Sequence, residues 1–159
     1  MSEPAAGPVQ VRATVLTARR DDAYHALTLV APAIAARFRP GQIVTVAVGG
    51  PETSMLGRRA FAVHDVRPDH GGTVEFVFEA VGPGTRWLAG LRARDPLDAT
   101  GPLGRPFPVP KSPTRCLLVG VGYGSAPLFA LAAKLADRGC TVDYLLGGRS
   151  ADRVFGALP

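Results

Sequence analysis

Lysine, cysteine and tryptophan are scarce in this 159-residue chain, and no apolar run is long enough to span a bilayer. The two cysteines, Cys116 and Cys140, have no CxxC spacing, so this chain alone supplies neither a zinc site nor an iron–sulfur cluster. Each lies beside an apolar strand-like run, and both are expected to be buried free thiols. The first residues lack the basic-then-apolar layout of a secretion signal, and a soluble, cytoplasmic protein is the expectation. No Ser–His–Asp or Cys–His spacing argues for covalent catalysis, and no paired carboxylates share a face. His25, His64 and His70 read as exposed or turn-bound, although His64 lies on a strand singled out below.

What is present is arginine, glycine and apolar residues. Sixteen of the eighteen basic residues are arginine, only Lys111 and Lys134 being lysine; the formal charge is +5 and the isoelectric point about 9.9. The arginines are scattered and no basic run carries interleaved aromatics, the pattern of solvated faces. Neither nucleic acid nor membrane is expected as a partner. Some of these guanidinium groups could instead pair with a cofactor phosphate or a substrate carboxylate.

The first two-thirds reads as β. Runs at 8–18, 24–31, 42–48, 59–66, 73–80 and 96–101 are short and β-branched or alternating, separated by turn clusters such as GGPE and PDHGG. Six strands at this spacing suggest a closed barrel or a sandwich. PGTRWLAGL (83–91) reads as a short helix, and the Pro- and Gly-rich 101–113 as a linker. RCLLVGV (115–121), the helix 125–139 and TVDYLLGG (141–148) then form the opening of a parallel βαβ unit, with SADRVF starting another helix. Two strands and one helix cannot cover both faces of a sheet, so this second domain reads as partial.

Four constellations carry chemistry. In LGRRAFAV (56–63), Arg59 and Phe61 share one strand face, fit to hold a phosphate and stack a planar ring. VGPGTRWL (81–88) opens a helix with glycines and Thr85, a place for an anion or an ordinary cap. GPLGRPF (101–107) is a glycine turn with an aromatic, or an interdomain elbow. VGVGYGSAPL (119–128) lies between a buried strand and a helix; its glycines permit close approach to a diphosphate, but the spacing is not G-x-G-x-x-G.

Taken in order, PGQI (40–43), RRAFAV (58–63), GPGT (82–85), GPLG (101–104), GVGYGSAPL (120–128) and LGGRS (146–150) resemble the electron-transfer subunit of dihydroorotate dehydrogenase, within the ferredoxin–NADP reductase superfamily. The resemblance runs over roughly residues 10 to 156. It implies a six-stranded antiparallel Greek-key FAD-binding barrel over 1–110, followed by a partial Rossmann-like NAD(P)-binding domain over 111–159. By position it assigns Arg59 to the FAD phosphates and Phe61 to the flavin and ribityl chain, with Ala62 and Val63 lining the flavin pocket. Gly82, Gly84 and Thr85 fall on the diphosphate cradle. Gly120, Gly122, Gly124, Ala126 and Pro127 fall on the nicotinamide-nucleotide loop, and Arg149 and Ser150 where related reductases meet the adenosine ribose.

Three departures stand out. The family serine beside the flavin N5 edge is Ala62, which cannot make that bond; the family proline is Ala60; and the family's further strands and four-cysteine cluster segment have no counterpart here. Three readings follow. One is an FAD-dependent oxidoreductase or electron-transfer component accepting hydride from NAD(P)H. Another is a repurposed barrel that cyclises a polyketide-type biosynthetic intermediate without net redox, by cyclisation or cycloaddition. The last is a non-catalytic subunit docking a larger partner. The expected partners are a small-molecule ligand or substrate and a partner subunit or second copy.

Overall fold

A computed structural model describes residues 7–50 and 53–156. The first six residues and Pro51–Glu52 of the expected GGPE turn lie outside them. Six antiparallel strands, β1 (Val9–Asp21), β2 (Tyr24–Val30), β3 (Ile43–Ala47), β4 (Arg58–Arg67), β5 (Thr73–Phe78) and β6 (Pro96–Leu103), close a barrel in the order β1-β2-β5-β4-β3-β6. The expected barrel is present. A short helix, α1 (Pro32–Ala35), too brief to show a helical period, follows β2.

Strand alternation sets the barrel's interior. Val44 and Val46 of β3 are buried, and their cross-strand partners on β4 are Phe61 and Arg59. Helix α2 (Pro83–Ala89) begins with proline in its first turn and drives Leu88, fully buried, into the barrel core. Burying one leucine in this way contributes about 2 kcal/mol.

The 101–113 segment is less of a linker than its composition implies. Residues 101–103 continue β6, because their backbone still pairs with β1 and β3. Beyond them the PGQ and GPLG motifs brace one another. Phe107 N–H donates to Pro40 O at 2.8 Å, and Gln42 Nε2 donates to Gly104 O at 3.1 Å. Gly41, at φ +97°, lies directly beneath Phe107, where any side chain would collide with that residue's backbone and ring.

A second sheet pairs β7 (Arg115–Val121) in parallel with β8 (Thr141–Gly147), linked by α3 (Ala126–Asp137). Gly139 ends α3 in the left-handed region at φ +76°. The Gly-rich loop before α3 forms a 3-10 turn over Gly122–Ser125. SADRVF makes only a 3-10 turn over Ala151–Arg153, not a helix, since Phe155 is drawn into the barrel wall.

One face of this sheet packs on α3 through Cys116, Leu118 and Val142. On the other face Leu117, Val119, Val121 and Leu145 are each about 60–70% exposed, uncovered among the described residues. Helix α3 and Phe155 then pack against the outer wall of β2, β5 and β4, where Tyr24, Ala26, Val77, Ala126 and Phe155 form a shared apolar cluster. His64, expected to be exposed or in a turn, is buried there instead. Its Nδ1–H donates to Ala126 O at 3.0 Å, and its ring meets Phe129 and Phe155 edge-on. The landing of α3 on β4 encloses it. His25 stacks on Phe78, and His70 is exposed in a turn.

Candidate functional site

Two groups of sequence-selected residues come together, at neighbouring places. The first is at the end of the barrel. Arg59 lies on the inward face of β4, as strand alternation predicts, with its guanidinium laid across the first turn of α2. A Cβ added to Gly84 would sit 3.1 Å from Arg59 Nε, 3.2 Å from Val48 Cγ2 and 3.3 Å from Arg59 Nη2. The absence of a side chain at Gly84 is what lets the guanidinium lie there. Arg59 donates only to the carbonyl of Arg58, at 3.3 Å, and forms no ion pair among the described residues. A cation held over a bare backbone turn with no carboxylate to neutralise it suits an anionic group such as a diphosphate.

The other residues of that group are placed less uniformly. Thr85 Oγ1 accepts the Gly82 N–H at 3.0 Å and donates to Gly82 O at 3.1 Å, so its hydroxyl closes the helix start. Phe61 stacks on Phe76, centroids 4.7 Å apart and planes 13° apart, one of its faces being taken up inside the barrel. Val63, expected to line a ligand pocket, has its side chain wholly buried in the barrel core, leaving only its backbone to border a ligand. Ala62 faces the opposite way from Phe61, half-buried, and pairs across the ladder with Ile43.

The second group surrounds a cleft of about 460 Å³ between the barrel and the C-terminal ends of β7 and β8. Crevices at this end of parallel strands are where open α/β sheets take ligands. Gly122 and Arg149, which the resemblance assigns to the nicotinamide nucleotide, line it. Tyr24, Glu79, Tyr123 and Arg153 also line it and went unrecognised, since nothing local in the sequence marks them. Arg153 Nη1 pairs with Glu79 at 3.2 Å, joining the segment after β8 to the end of β5. Tyr24 packs edge-on to Phe155 and Tyr123. Burial first, then the negative charge of Glu79, raises the Tyr24 phenol above its usual pKa, while Arg153 opposes the shift.

The remaining loop residues divide. Gly120 points into the β7–α3 contact, where a side chain would strike Ser125 and Leu128, so its role is packing. Gly124 is open, with nothing within 4 Å of an added Cβ. Ala126 is buried in the interdomain cluster and Pro127 sits in the first turn of α3. Ser150 Oγ donates to Asp152, and Arg149 is exposed. Val81 lines the cleft and Gly82 is the cap of α2, so the two groups are one residue apart along the chain.

Comparison with known proteins bears on the family and the fold. The chain is 39% identical over 118 residues to the dihydroorotate dehydrogenase B (NAD(+)) electron transfer subunit of Bacillus velezensis, 73% of this chain and 45% of that protein. It is 36% identical over 132 residues to the subunit of the same description from Bacillus caldolyticus, 81% of this chain and 50% of that protein. The chain thus spans about half the length of the curated relatives it matches. Among solved structures, an NADH-dependent reduced ferredoxin–NADP oxidoreductase studied for flavin-based electron bifurcation superposes with a TM-score of 0.81. It is 25% identical and covers 93% of this chain and 52% of its own. No family model matches. These relatives give the non-redox cyclisation reading no support.

Proposed function

From its kinship with the electron-transfer subunits of dihydroorotate dehydrogenase B and its ferredoxin-reductase-type fold, we propose that this chain binds FAD and passes electrons from NAD(P)H. The observation that carries the reading is Arg59, laid over Gly84 without a carboxylate partner. Arg59, Gly82 and Gly84 hold the diphosphate, with Thr85 fixing the turn that presents them. Phe61, Ala62 and the backbone at Val63 border the flavin. When bound, FAD supplies the acceptor for a hydride and the means to release electrons onward.

The cleft holds the nicotinamide nucleotide. Gly122 and Gly124 let its backbone approach closely, Arg149 and Ser150 face the adenosine ribose, and Pro127 sets the start of α3 beneath. Residues 1–110 form the flavin module and 111–159 part of the nucleotide module. Ala62 offers no hydroxyl to the flavin edge, so the protein orients the ring through shape, with Arg59 anchoring the phosphates. The electrons leave to a partner subunit, the role that the relatives' description gives those proteins. No helix among the described residues is long and apolar enough to cross a membrane.

Purified protein tests this directly. It is expected to be yellow and to bleach when NADH or NADPH is added without oxygen. Colourless protein that takes up no added FAD contradicts the reading, and yellow protein that never bleaches removes the electron-transfer step while keeping the cofactor.

A further inference from the structure

The chain's two cysteines, Cys116 and Cys140, meet under α3 and take no part in the proposed cofactor sites. We propose that they form a reversible disulfide under oxidation, a covalent lock that joins β7 to the turn between α3 and β8. The proposal stands apart from the flavin reading. The pair lies at the N-terminal ends of β7 and β8, whereas the cleft opens at their C-terminal ends.

Register and packing bring the thiols together. Cys116 pairs with Val142 across the parallel ladder, and Cys140 comes two residues before Val142. Both sulfurs lie on the α3 side: Cys140 is buried with Leu118, Leu131 and Leu135, and Cys116 and Val142 border the same cluster. Burial pushes the Cys116 thiol above its ordinary pKa, and the Cys140 thiol beside it adds to the rise through charge and a hydrogen bond. Diagonal partners in a regular ladder stand about 7–8 Å apart at Cα, slightly beyond a disulfide's span of about 6.8 Å. Cys140, however, precedes the first residue of β8. Its N–H is held by Leu135 O at 3.0 Å, and it follows Gly139 in the left-handed region. That turn can supply the short shift the bond needs.

The oxidant is a peroxide. Cys116, the more exposed of the two, attacks hydrogen peroxide as its thiolate, giving a sulfenic acid and releasing water. The Cys140 sulfur then displaces the sulfenic oxygen as a second water and leaves the S–S bond. Two thiols lose two electrons and two protons, and one peroxide becomes two waters. A dithiol reductant reverses the change. Little of the raised Cys116 thiol is thiolate at neutral pH, so the bond answers to a high oxidant load. Once formed, it closes a loop of about 25 residues that contains α3, and so stiffens the module bearing one wall of the cleft.

The full-length chain, reduced and then treated with hydrogen peroxide, tests this after denaturation, alkylation with N-ethylmaleimide and intact mass measurement. The expected product is a monomer lighter by two hydrogens that takes up no alkylating group, against two in the untreated chain. Dithiothreitol should restore both thiols. Peroxide should also raise the thermal midpoint of the wild type by about 5 °C or more, and that of neither Cys116→Ser nor Cys140→Ser. Four results overturn the inference: both thiols still alkylated after treatment, sulfinic acid on Cys116 beside a free Cys140, crosslinked dimers without the internal bond, or an internal bond that leaves the midpoint unchanged or lower. Should Cys140→Ser fail to fold, the wild-type mass and midpoint decide between these outcomes by themselves.

Discussion

The Tyr24 hydroxyl donates a 2.8 Å hydrogen bond to the backbone carbonyl of Arg153, joining β2 to the segment after β8 across 129 positions. With the Glu79–Arg153 pair and Phe155, it ties the segment after β8 to the barrel wall and so fixes one side of the cleft between the barrel and the second sheet. Tyr24→Phe removes that bond and is expected to cost about 1 kcal/mol. The pH dependence has a definite sign. A phenol whose pKa is raised in the folded state gives stability that is full below the ordinary tyrosine pKa, near 10, and is lost as pH rises through the folded value. Chemical denaturation on either side of that range should show wild type falling more steeply with alkali than Tyr24→Phe.

Filling the space at Gly84 should separate binding from folding. Gly84→Ala puts a Cβ 3.1 Å from Arg59 Nε, whose flexible end can move aside, and 3.2 Å from Val48 Cγ2, which has to give by only a few tenths of an ångström. FAD affinity, read by equilibrium titration, is expected to drop about tenfold or more while the thermal midpoint stays within a few degrees. Retained affinity would place the diphosphate elsewhere.

Ala62 bears on the chemistry more than on binding. Ala62→Ser restores a hydroxyl at the position beside the flavin edge in the family pattern. Stopped-flow reduction by NADH under anaerobic conditions should run at the wild-type rate or faster. A collapse of that rate would contradict the placement of residue 62.

The uncovered face of the β7–β8 sheet predicts a surface effect. Leu117 and Val119 are 63% and 59% exposed, so Leu117→Thr with Val119→Thr should alter stability by no more than about 0.5 kcal/mol per site. Light scattering should show less self-association than wild type, since an apolar patch is removed. A large loss of stability would mean that these side chains are covered in solution.

Much of this was legible in the chain because it is local. Alternation in TVEFVF and RAFAV marks β4 and β5 and puts Arg59 beside Phe61 on one face; the Gly-Pro-Gly-Thr run marks the start of α2. The bare sheet face follows from counting strands. What stayed hidden depends on distant docking. His64 is buried only because α3 lands on β4, and Arg153 joins Glu79 from 74 positions away. The resemblance puts Val63 in the pocket lining, yet the inward face that it shares with Phe61 passes into the core one step further along β4. Thr85 and Gly120 belong to motifs whose residue types serve helix capping and close packing as readily as ligand contact.

The central claim is that Arg59 holds the phosphates of FAD, and the affinity of wild-type and Arg59→Ala chains for FAD, measured side by side with circular dichroism to verify folding, tests it most directly. Loss of charge-assisted hydrogen bonds from one guanidinium predicts roughly 10- to 150-fold weaker binding by a folded variant. Equal affinity in the two proteins would contradict the account.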